Sequence, residues 1–168
     1  MAGDVADGLI APAKHVIELA TDSGVMIAAA ESCTGGLITA SLTSIAGSSS
    51  AVDRGFVTYT NEAKHEQLGV SLSTLEHHGA VSQQTASEMV AGVFGQTKMA
   101  GVAVSITGVA GPGGGTAEKP VGLVYIGYGR RGAPVQVEQC LFDGDRANVR
   151  HQTVLKAFEL IEALLTNS

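Results

Sequence analysis

Ser32 and Lys64 are two residues of the sequence whose types and placement could do chemistry together. Ser32 lies two residues after the apolar run at residues 25–30, and Lys64 follows a β-branched and aromatic segment at residues 55–59. A neutral lysine amine can take the proton of a serine hydroxyl, and partial burial favours that neutral form. The pair could therefore attack a carbonyl carbon without the help of a histidine.

Two elements have to position Ser32. The apolar run predicts a strand, and the amphipathic segment after it predicts a helix over residues 35–45. A helix start presents unpaired backbone N–H groups and the positive end of the helix dipole, and Gly35 and Gly36 let a ligand approach the backbone. This geometry suits an oxyanion or a phosphate. An equally good interpretation is that Ser32 or Thr34 only caps the helix.

The residues around Ser32 exclude two better-known serine arrangements. Residues 30–34 read Ala-Glu-Ser-Cys-Thr rather than G-x-S-x-G, and Gly35 stands where a β-lactamase-like site has a lysine. Two alternatives stay open. Lys64 could be a solvated residue on a helix face, and the neighbouring thiol of Cys33 could replace Ser32 as the nucleophile.

Three further features could complete a site at the same edge of the sheet. Thr107 stands at the end of an apolar strand predicted at residues 101–106. Arg146 could hold a phosphate through its guanidinium fork or could pair with a neighbouring aspartate. The glycine-rich loop at residues 108–120 could wrap a nucleotide or serve as a flexible crossover, since it matches neither common phosphate-binding motif.

The order of elements predicts an α/β protein, a single three-layer αβα domain with a mixed sheet of about five strands. If the first three strands are parallel neighbours, the polar residues that follow them share one edge of the sheet, where ligands of such folds bind. The predicted strands cover residues 25–30, 55–59, 101–106, 121–129 and 134–142, the last two as a hairpin. The predicted helices cover residues 12–23, 35–45, 61–68 with Asn61 as its N-cap, 71–78, 82–96 with Ser82 as its N-cap, and 145–165.

Length and composition predict one globular domain at residues 11–168 behind a flexible tail at residues 1–10. The chain has 168 residues, of which 45% are hydrophobic and 15% charged. Its net charge of −6 is spread without a run of Lys or Arg, which argues against direct nucleic-acid binding and favours a small-molecule partner.

Targeting and metal-binding patterns are absent from the sequence. The first residues have neither the basic charges nor the apolar length of a signal peptide, and no window approaches a membrane span, so we expect a cytoplasmic protein without membrane association. Cys33 and Cys140 form no disulfide framework, and no Cys or His cluster has ligand spacing. We therefore predict two reduced thiols and no metal.

Five motifs of the chain occur in the order in which they occur in the C-terminal domain of the competence/damage-inducible CinA family, which the chain closely resembles over about residues 11–165. The motifs are Ala30-Glu31-Ser32-Cys33-Thr34-Gly35-Gly36; Tyr59-Thr60-Asn61-Glu62-Ala63-Lys64; His78-Gly79-Ala80-Val81-Ser82; Thr107-Gly108-Val109-Ala110-Gly111-Pro112-Gly113-Gly114 with Glu118-Lys119-Pro120-Val121-Gly122; and Phe142-Asp143-Gly144-Asp145-Arg146.

The resemblance implies hydrolysis of the carboxamide of nicotinamide mononucleotide to nicotinate mononucleotide and ammonia, a step of pyridine nucleotide salvage. It also implies a Ser-Lys acyl-enzyme mechanism that needs no cofactor. In that mechanism Ser32 is the expected nucleophile, Lys64 its base, and Tyr59 a nearby group that orients the reactants or relays protons. Cys33 then has no catalytic role as a nucleophile.

The resemblance and the helix-start argument also imply a set of substrate-binding residues. Thr107 would place the carboxamide, and Arg146 would hold the phosphate or line its pocket. Backbone N–H groups in the segment after Ser32 would stabilise the oxyanion. The full predicted set is Cys33, Thr34, Gly35, Gly36, Thr107, Gly108 and Arg146.

Two other functions stay open at this point. The same loop and helix start could bind a nucleotide without turning it over, as a regulatory module of a competence or DNA-damage response. Alternatively, the chain could be an amidase for another carboxamide. In each case we expect a homo-oligomer, because small domains with Gly-rich and Ala-rich surfaces often assemble symmetrically.

Overall fold

The computed structural model describes residues 8–167 and forms a five-stranded sheet flanked by helices. The strands are β1 (Met26–Glu31), β2 (Val52–Val57), β3 (Ala100–Gly108), β4 (Leu123–Arg130) and β5 (Gln136–Leu141). The helices are α1 (Ile10–Ser23), α2 (Leu37–Thr43), α3 (Asn61–Leu68), α4 (Leu72–His78), α5 (Gln83–Gln96) and α6 (Arg146–Thr166), with a short 3-10 turn at Ser48–Ser50.

The sheet is mixed and has the strand order β2-β1-β3-β4-β5. Strand β1 pairs in parallel with both β2 and β3, whereas β4 is antiparallel to β3 and to β5. The first three strands are therefore parallel neighbours, which is the condition for their polar residues to share one edge of the sheet. Their carboxyl ends meet at one edge of the sheet, and the segments that carry Ser32, Tyr59 and Thr107 lie there.

Helices cover both faces of the sheet, which confirms the predicted three-layer α/β fold. Side chains alternate between the faces along β1, so Ile27 and Ala29 pack in the core with α1, α2 and α6. Ala28 and Ala30 pack in the second core, with α3, α4 and α5. The continuous apolar run of β1 is explained by this burial on both faces.

A close helix contact places the helix that carries Lys64. Helix α3 crosses α5 at Gly92, where an added Cβ would collide with the backbone carbonyl of Leu68. A residue with a side chain at position 92 would push α3 away from α5 and from the end of β2. The contact thus holds Lys64 at the edge of the sheet.

Several element ends differ from the prediction. Strand β2 ends at Val57 rather than Tyr59, because this edge strand pairs only with β1, and Val57 lies opposite Glu31, the last residue of β1. Helix α3 is capped by Thr60 rather than Asn61, since the Thr60 hydroxyl accepts the N–H of Ala63. Helix α5 is capped by Ser82, as predicted.

Helix α1 begins two residues before the predicted start at Pro12, and Leu9 before it is buried in the core. Of the tail predicted at residues 1–10, residues 1–7 lie outside the described part of the chain. Among the helices of residues 8–167, none has the combination of length and apolar character needed to cross a membrane.

Candidate active site

A cavity of about 300 Å³ lies beyond the carboxyl ends of β1, β2 and β3. The segments after β1 and β2, the end of β3, the segment before α5, the glycine-rich loop and the start of α6 all contribute to it. Its lining consists of Ser32, Cys33, Tyr59, Lys64, Ala80, Val81, Thr107, Gly108, Val109, Ala110, Gly111, Gly113, Gly114 and Arg146.

Ser32 and Lys64 are in direct contact inside this cavity. The Nζ atom of Lys64 lies 2.9 Å from Ser32 Oγ, 2.9 Å from the carbonyl oxygen of Thr58 and 3.3 Å from that of Tyr59. The side chain is 1% exposed, so the interpretation of Lys64 as a solvated surface residue is wrong. Burial and the three contacts hold the amine in one place against the serine hydroxyl.

The surroundings of Lys64 favour the neutral amine. No carboxylate among residues 8–167 forms an ion pair with Lys64, and desolvation by burial lowers its pKa to about 8. When the amine is neutral, two N–H groups can be donated to the carbonyls of Thr58 and Tyr59. The lone pair then faces Ser32 Oγ, the orientation that a general base for this hydroxyl needs.

A sharp turn at residues 32–36 connects β1 to α2. Gly35 and Gly36 adopt left-handed conformations with φ of 58° and 104°, and the Gly35 N–H donates to the carbonyl of Ser32. Gly36 is the N-cap residue of α2, so neither Ser32 nor Thr34 caps the helix. Thr34, Gly35 and Gly36 do not line the cavity, because the turn carries the chain away from it.

Glu31 is a residue of this region that sequence reasoning missed. Its side chain is fully buried, and Oε1 accepts the Ile38 N–H and the Thr34 hydroxyl, both at 2.8 Å. Oε2 accepts the N–H of Thr39 at 3.0 Å and its hydroxyl at 2.8 Å. The prediction that these first N–H groups of α2 point toward a ligand is therefore wrong. An acidic residue shortly before a helix start is the signal that could have predicted this capping.

One N–H group of the turn, that of Cys33, remains as a candidate donor to an oxyanion in the cavity. Within residues 8–167, the backbone N–H groups of Cys33, Thr34 and Gly36 have no oxygen as a hydrogen-bond partner, and of these three residues only Cys33 lines the cavity. Those of Gly35 and Leu37 donate to carbonyls inside the turn. The candidate donor next to Ser32 thus lies in the turn at residues 32–36 rather than in the first turn of α2.

Cys33 is a poor alternative to Ser32 as the nucleophile. The side chain is buried, and desolvation raises the pKa of its thiol to about 11. The reactive form of cysteine is the thiolate, which such a pKa makes rare at neutral pH. Both Cys33 and Cys140 are free thiols, as predicted.

Arg146 connects two parts of the cavity wall. One guanidinium nitrogen donates to the carbonyl of Gly111 at 2.8 Å, and another donates to the hydroxyl of Tyr59 at 3.0 Å. The alternative in which Arg146 pairs with a neighbouring aspartate does not occur, because Asp145 instead accepts the N–H of Asn148 and caps α6.

Arg150 is a second residue that sequence reasoning missed. It follows Arg146 by four residues, which places both side chains on one face of α6. Its guanidinium donates to the carbonyls of Cys33 at 3.1 Å and Thr34 at 3.0 Å. The spacing of four residues between Arg146 and Arg150 is the signal that could have predicted a second arginine at the site.

Thr107 and Gly108 end β3 at the floor of the cavity. The Thr107 hydroxyl donates to the carbonyl of Ala80 at 2.7 Å, so it holds the segment before α5 against the strand. Ala80 and Val81 consequently line the cavity, although only the motif that contains them was singled out in the sequence. The hydroxyl oxygen of Thr107 still has lone pairs that can accept a hydrogen bond.

A larger cavity of about 650 Å³ adjoins the first and shares Ala110 and Arg146 with it. It is otherwise lined by Pro112, Val121, Gly144, Asp145, Ala147 and Arg150. Neither arginine forms an ion pair with a carboxylate of the described residues, so both positive charges remain available to a ligand. Residues 8–167 contain no group of three His, Cys, Asp or Glu side chains able to hold a metal ion.

Comparisons with known proteins agree with this architecture. The chain is 51% identical over 158 residues to nicotinamide-nucleotide amidohydrolase PncC of Enterobacter agglomerans, with 90% of this chain and 94% of that protein covered. It is 43% identical to a competence-damage inducible protein of Caldicellulosiruptor saccharolyticus, of which it spans only 36%.

Two crystal structures have the same fold. The competence/damage inducible protein CihA from Agrobacterium tumefaciens is 49% identical with a TM-score of 0.89, covering 93% of this chain and 94% of that one. The competence damage-inducible protein A from Klebsiella pneumoniae is 32% identical with a TM-score of 0.89, covering 95% and 99%. Residues 10–165 match the family described as the CinA C-terminal domain. With this match and these relatives, the chain belongs to the CinA C-terminal domain family.

Proposed function

We propose that this protein is a nicotinamide-nucleotide amidase, which hydrolyses the carboxamide of nicotinamide mononucleotide to nicotinate mononucleotide and ammonia. The observation that carries the proposal is the 2.9 Å contact between Lys64 Nζ and Ser32 Oγ inside a cavity. The identity of 51% to an amidohydrolase of this name supports the substrate class.

Acylation begins when the neutral amine of Lys64 takes the proton of Ser32 as Oγ attacks the carboxamide carbon. The N–H group of Cys33, which lines the cavity beside Ser32, stabilises the negative charge that develops on the carboxamide oxygen. The tetrahedral intermediate then collapses, and the Lys64 ammonium gives its proton to the departing nitrogen. Ammonia leaves and an ester of Ser32 remains.

Deacylation reverses these roles with water in place of ammonia. The neutral Lys64 takes a proton from water as its oxygen attacks the ester carbon. Collapse of the second intermediate returns the proton to Ser32 Oγ and releases the carboxylate product. Two easier steps replace one difficult amide hydrolysis, and Lys64 acts as base and acid in both.

We infer a position for each part of the substrate from the residues that line the cavity. The Thr107 hydroxyl, whose proton is donated to Ala80, accepts an N–H of the carboxamide. Tyr59, which is 58% exposed, orients the ring at the mouth of the cavity. The phosphate lies at Arg146, which lines both cavities, and the charge of Arg150 adds to the attraction.

The test is turnover of nicotinamide mononucleotide by the purified protein, followed as ammonia and nicotinate mononucleotide. Ser32→Ala and Lys64→Met should each lower kcat by at least about a thousandfold. The matched controls Ser50→Ala and Lys98→Met replace exposed residues and should retain wild-type kcat. Saturable binding of the nucleotide without turnover by the wild-type protein would instead identify a nucleotide-binding module.

A further inference from the structure

The buried carboxylate of Glu31 has no step of its own in the proposed reaction. It nevertheless accepts four hydrogen bonds, from two backbone N–H groups and two threonine hydroxyls, and its side chain has no exposed surface. We propose that Glu31 is a positioning residue for Ser32, whose carboxylate fixes the turn at residues 32–36 so that Ser32 Oγ stays against the amine of Lys64. This inference rests on the proposed function for the role of Ser32 as the nucleophile.

Glu31 fixes both ends of the turn. Its backbone is the last residue of β1 and pairs with Ile106 of β3 on one side and Val57 of β2 on the other. Its carboxylate holds Ile38 and Thr39, the second and third residues of α2. One residue thus sets the distance between the strand that precedes Ser32 and the helix that follows it.

The carboxylate of Glu31 also holds the interior of the turn. The hydroxyl of Thr34 donates to Oε1 at 2.8 Å, while Arg150 holds the carbonyls of Cys33 and Thr34 from the side of α6. The turn is therefore fixed from two directions. The N–H group of Cys33, which takes no part in these contacts and lines the cavity, is left available to an oxyanion.

The rate of the proposed reaction depends on the position of Ser32 Oγ relative to the amine of Lys64. A misplacement of about 1 Å can cost about a hundredfold in rate, because the reacting groups must be aligned when the bond forms. A glutamine at position 31 has one amide oxygen and one NH₂ group. The NH₂ group would face a backbone N–H of Ile38 or Thr39, which cannot turn to accept a hydrogen bond. Part of the turn would then have to move.

The test compares Glu31→Gln with the matched control Glu88→Gln. Glu88 is partly buried and, like Glu31, accepts a backbone N–H, from Ser71, and a threonine hydroxyl, from Thr74. It lies on α5 and does not line the cavity. Both variants should unfold at lower temperature than the wild-type protein, so a loss of stability alone does not distinguish them.

The first readout is the rate at which a fluorophosphonate labels Ser32, measured by mass spectrometry. In this reaction Ser32 Oγ bonds to phosphorus, fluoride leaves, and Lys64 takes the serine proton. The second readout is kcat and KM for nicotinamide mononucleotide. At a temperature where circular dichroism shows all proteins folded, Glu31→Gln should lose at least about tenfold in labelling rate and in kcat, with KM within about twofold. Glu88→Gln should match the wild-type protein in all three.

Equal labelling rates for Glu31→Gln and Glu88→Gln would overturn the proposal, as would a change in KM alone. If Glu31→Gln does not fold, Thr39→Val tests the proposal in its place. This substitution keeps the side-chain shape and removes one hydrogen-bond donor to Glu31 Oε2. Slower labelling of that variant supports the proposal, and wild-type labelling refutes it.

If the wild-type protein is labelled at Ser32 but does not turn over the nucleotide, the proposed substrate is wrong, while the comparison of labelling rates still decides the role of Glu31. Absence of labelling at Ser32 refutes both.

Discussion

Burial of Lys64 sets the pH range in which its amine can act as a base. In the described part of the chain the amine contacts a hydroxyl and two carbonyls but no carboxylate. Desolvation lowers its pKa from 10.5 to about 8, so that about a tenth of the amine is neutral at pH 7 and about half at pH 8. An exposed lysine would be almost fully protonated there and could not accept the proton of Ser32.

The first prediction concerns the pH dependence of kcat. Because only the neutral amine is a base, kcat should fall about tenfold for each pH unit below about 8 and should level off above it. Steady-state rates at saturating nicotinamide mononucleotide check this, with circular dichroism at each pH as the control for folding. A kcat that stays constant across this range would contradict the role of Lys64 as the base.

The second prediction concerns stability in Lys64→Met. The pKa of Lys64 is about 8 when folded and 10.5 in its ordinary state, so the unfolded chain binds more protons between these values and wild-type stability rises with pH there. Below about pH 8 the Lys64 amine of the wild-type protein is buried in its charged form, and the cost of this desolvation lowers the stability of the folded state. The methionine variant has no such cost. The quantity to compare is the free energy of unfolding of Lys64→Met minus that of the wild-type protein. This difference should therefore be about 2 to 3 kcal/mol smaller at pH 10 than at pH 7.

Urea denaturation of both proteins at the two pH values measures this difference. The control is Lys98→Met, at an exposed lysine, whose stability relative to wild type should not change with pH in this way. A difference for Lys64→Met that stays the same at both pH values would mean that the Lys64 amine is not desolvated in the folded protein.

At the scale of elements, helix α6 connects the parts of the site. Its first residues bring Arg146 to the glycine-rich loop and to Tyr59, and Arg150 to the turn that follows Ser32. The rest of the helix packs in the core, where Phe158 is 2% exposed. A rigid helix thus carries two positive charges to the boundary between the two cavities.

The third prediction tests whether the phosphate lies at this boundary. Ala147 lines only the larger cavity, so Ala147→Glu places a negative charge beside Arg146 and Arg150. We expect KM for nicotinamide mononucleotide to rise about fivefold or more through repulsion, with little change in kcat. The KM for nicotinamide riboside, which has no phosphate, should not rise.

The matched control is Ala163→Glu, which makes the same substitution at an exposed position of α6 about 24 Å further along the helix. It should leave both KM values unchanged. Equal increases for the nucleotide and the riboside in Ala147→Glu would place the phosphate elsewhere and leave only a steric effect.

At the scale of the whole molecule, the sheet divides the interior into two cores. One contains α1, α2 and α6, the other α3, α4 and α5, and the site draws side chains from segments attached to both. Ser32 lies between β1 and α2, whereas Lys64 lies on α3. The relative placement of the two residues therefore depends on the packing of both layers against the sheet.

The fourth prediction is that the protein forms a homo-oligomer. Only 15% of its residues are charged, and the apolar side chain of Val57 and the ring of Tyr59 are 48% and 58% exposed close together along the chain. Sedimentation equilibrium at tens of micromolar protein should give a mass at least twice that of one chain. A monomer mass over the whole concentration range would contradict this prediction.

Local patterns in the sequence determined most of the elements and the general place of the site. Gly24 ends α1, Ser82 caps α5, and a continuous apolar run forms β3, because each depends on residues close together in the chain. The convergence of Ser32 and Lys64 also followed, since both stand just beyond predicted parallel strands. Local patterns were less reliable for β2, whose end is set by its pairing with β1.

Only the tertiary structure decided the environment of each functional side chain. The near-complete burial of Lys64 depends on packing that its own helix, which is polar in sequence, does not predict. The capping of α2 by Glu31 spans a glycine turn, and the contact of Arg150 with Cys33 joins residues 117 positions apart. The sequence by itself thus placed Ser32, Lys64 and Thr107 at one edge of the sheet. The contacts of Glu31 and Arg150 with the turn, by contrast, depend on the tertiary structure. Packing between distant segments decided which of them are buried, charged or held in place, because desolvation and hydrogen bonding depend on all the neighbours in space.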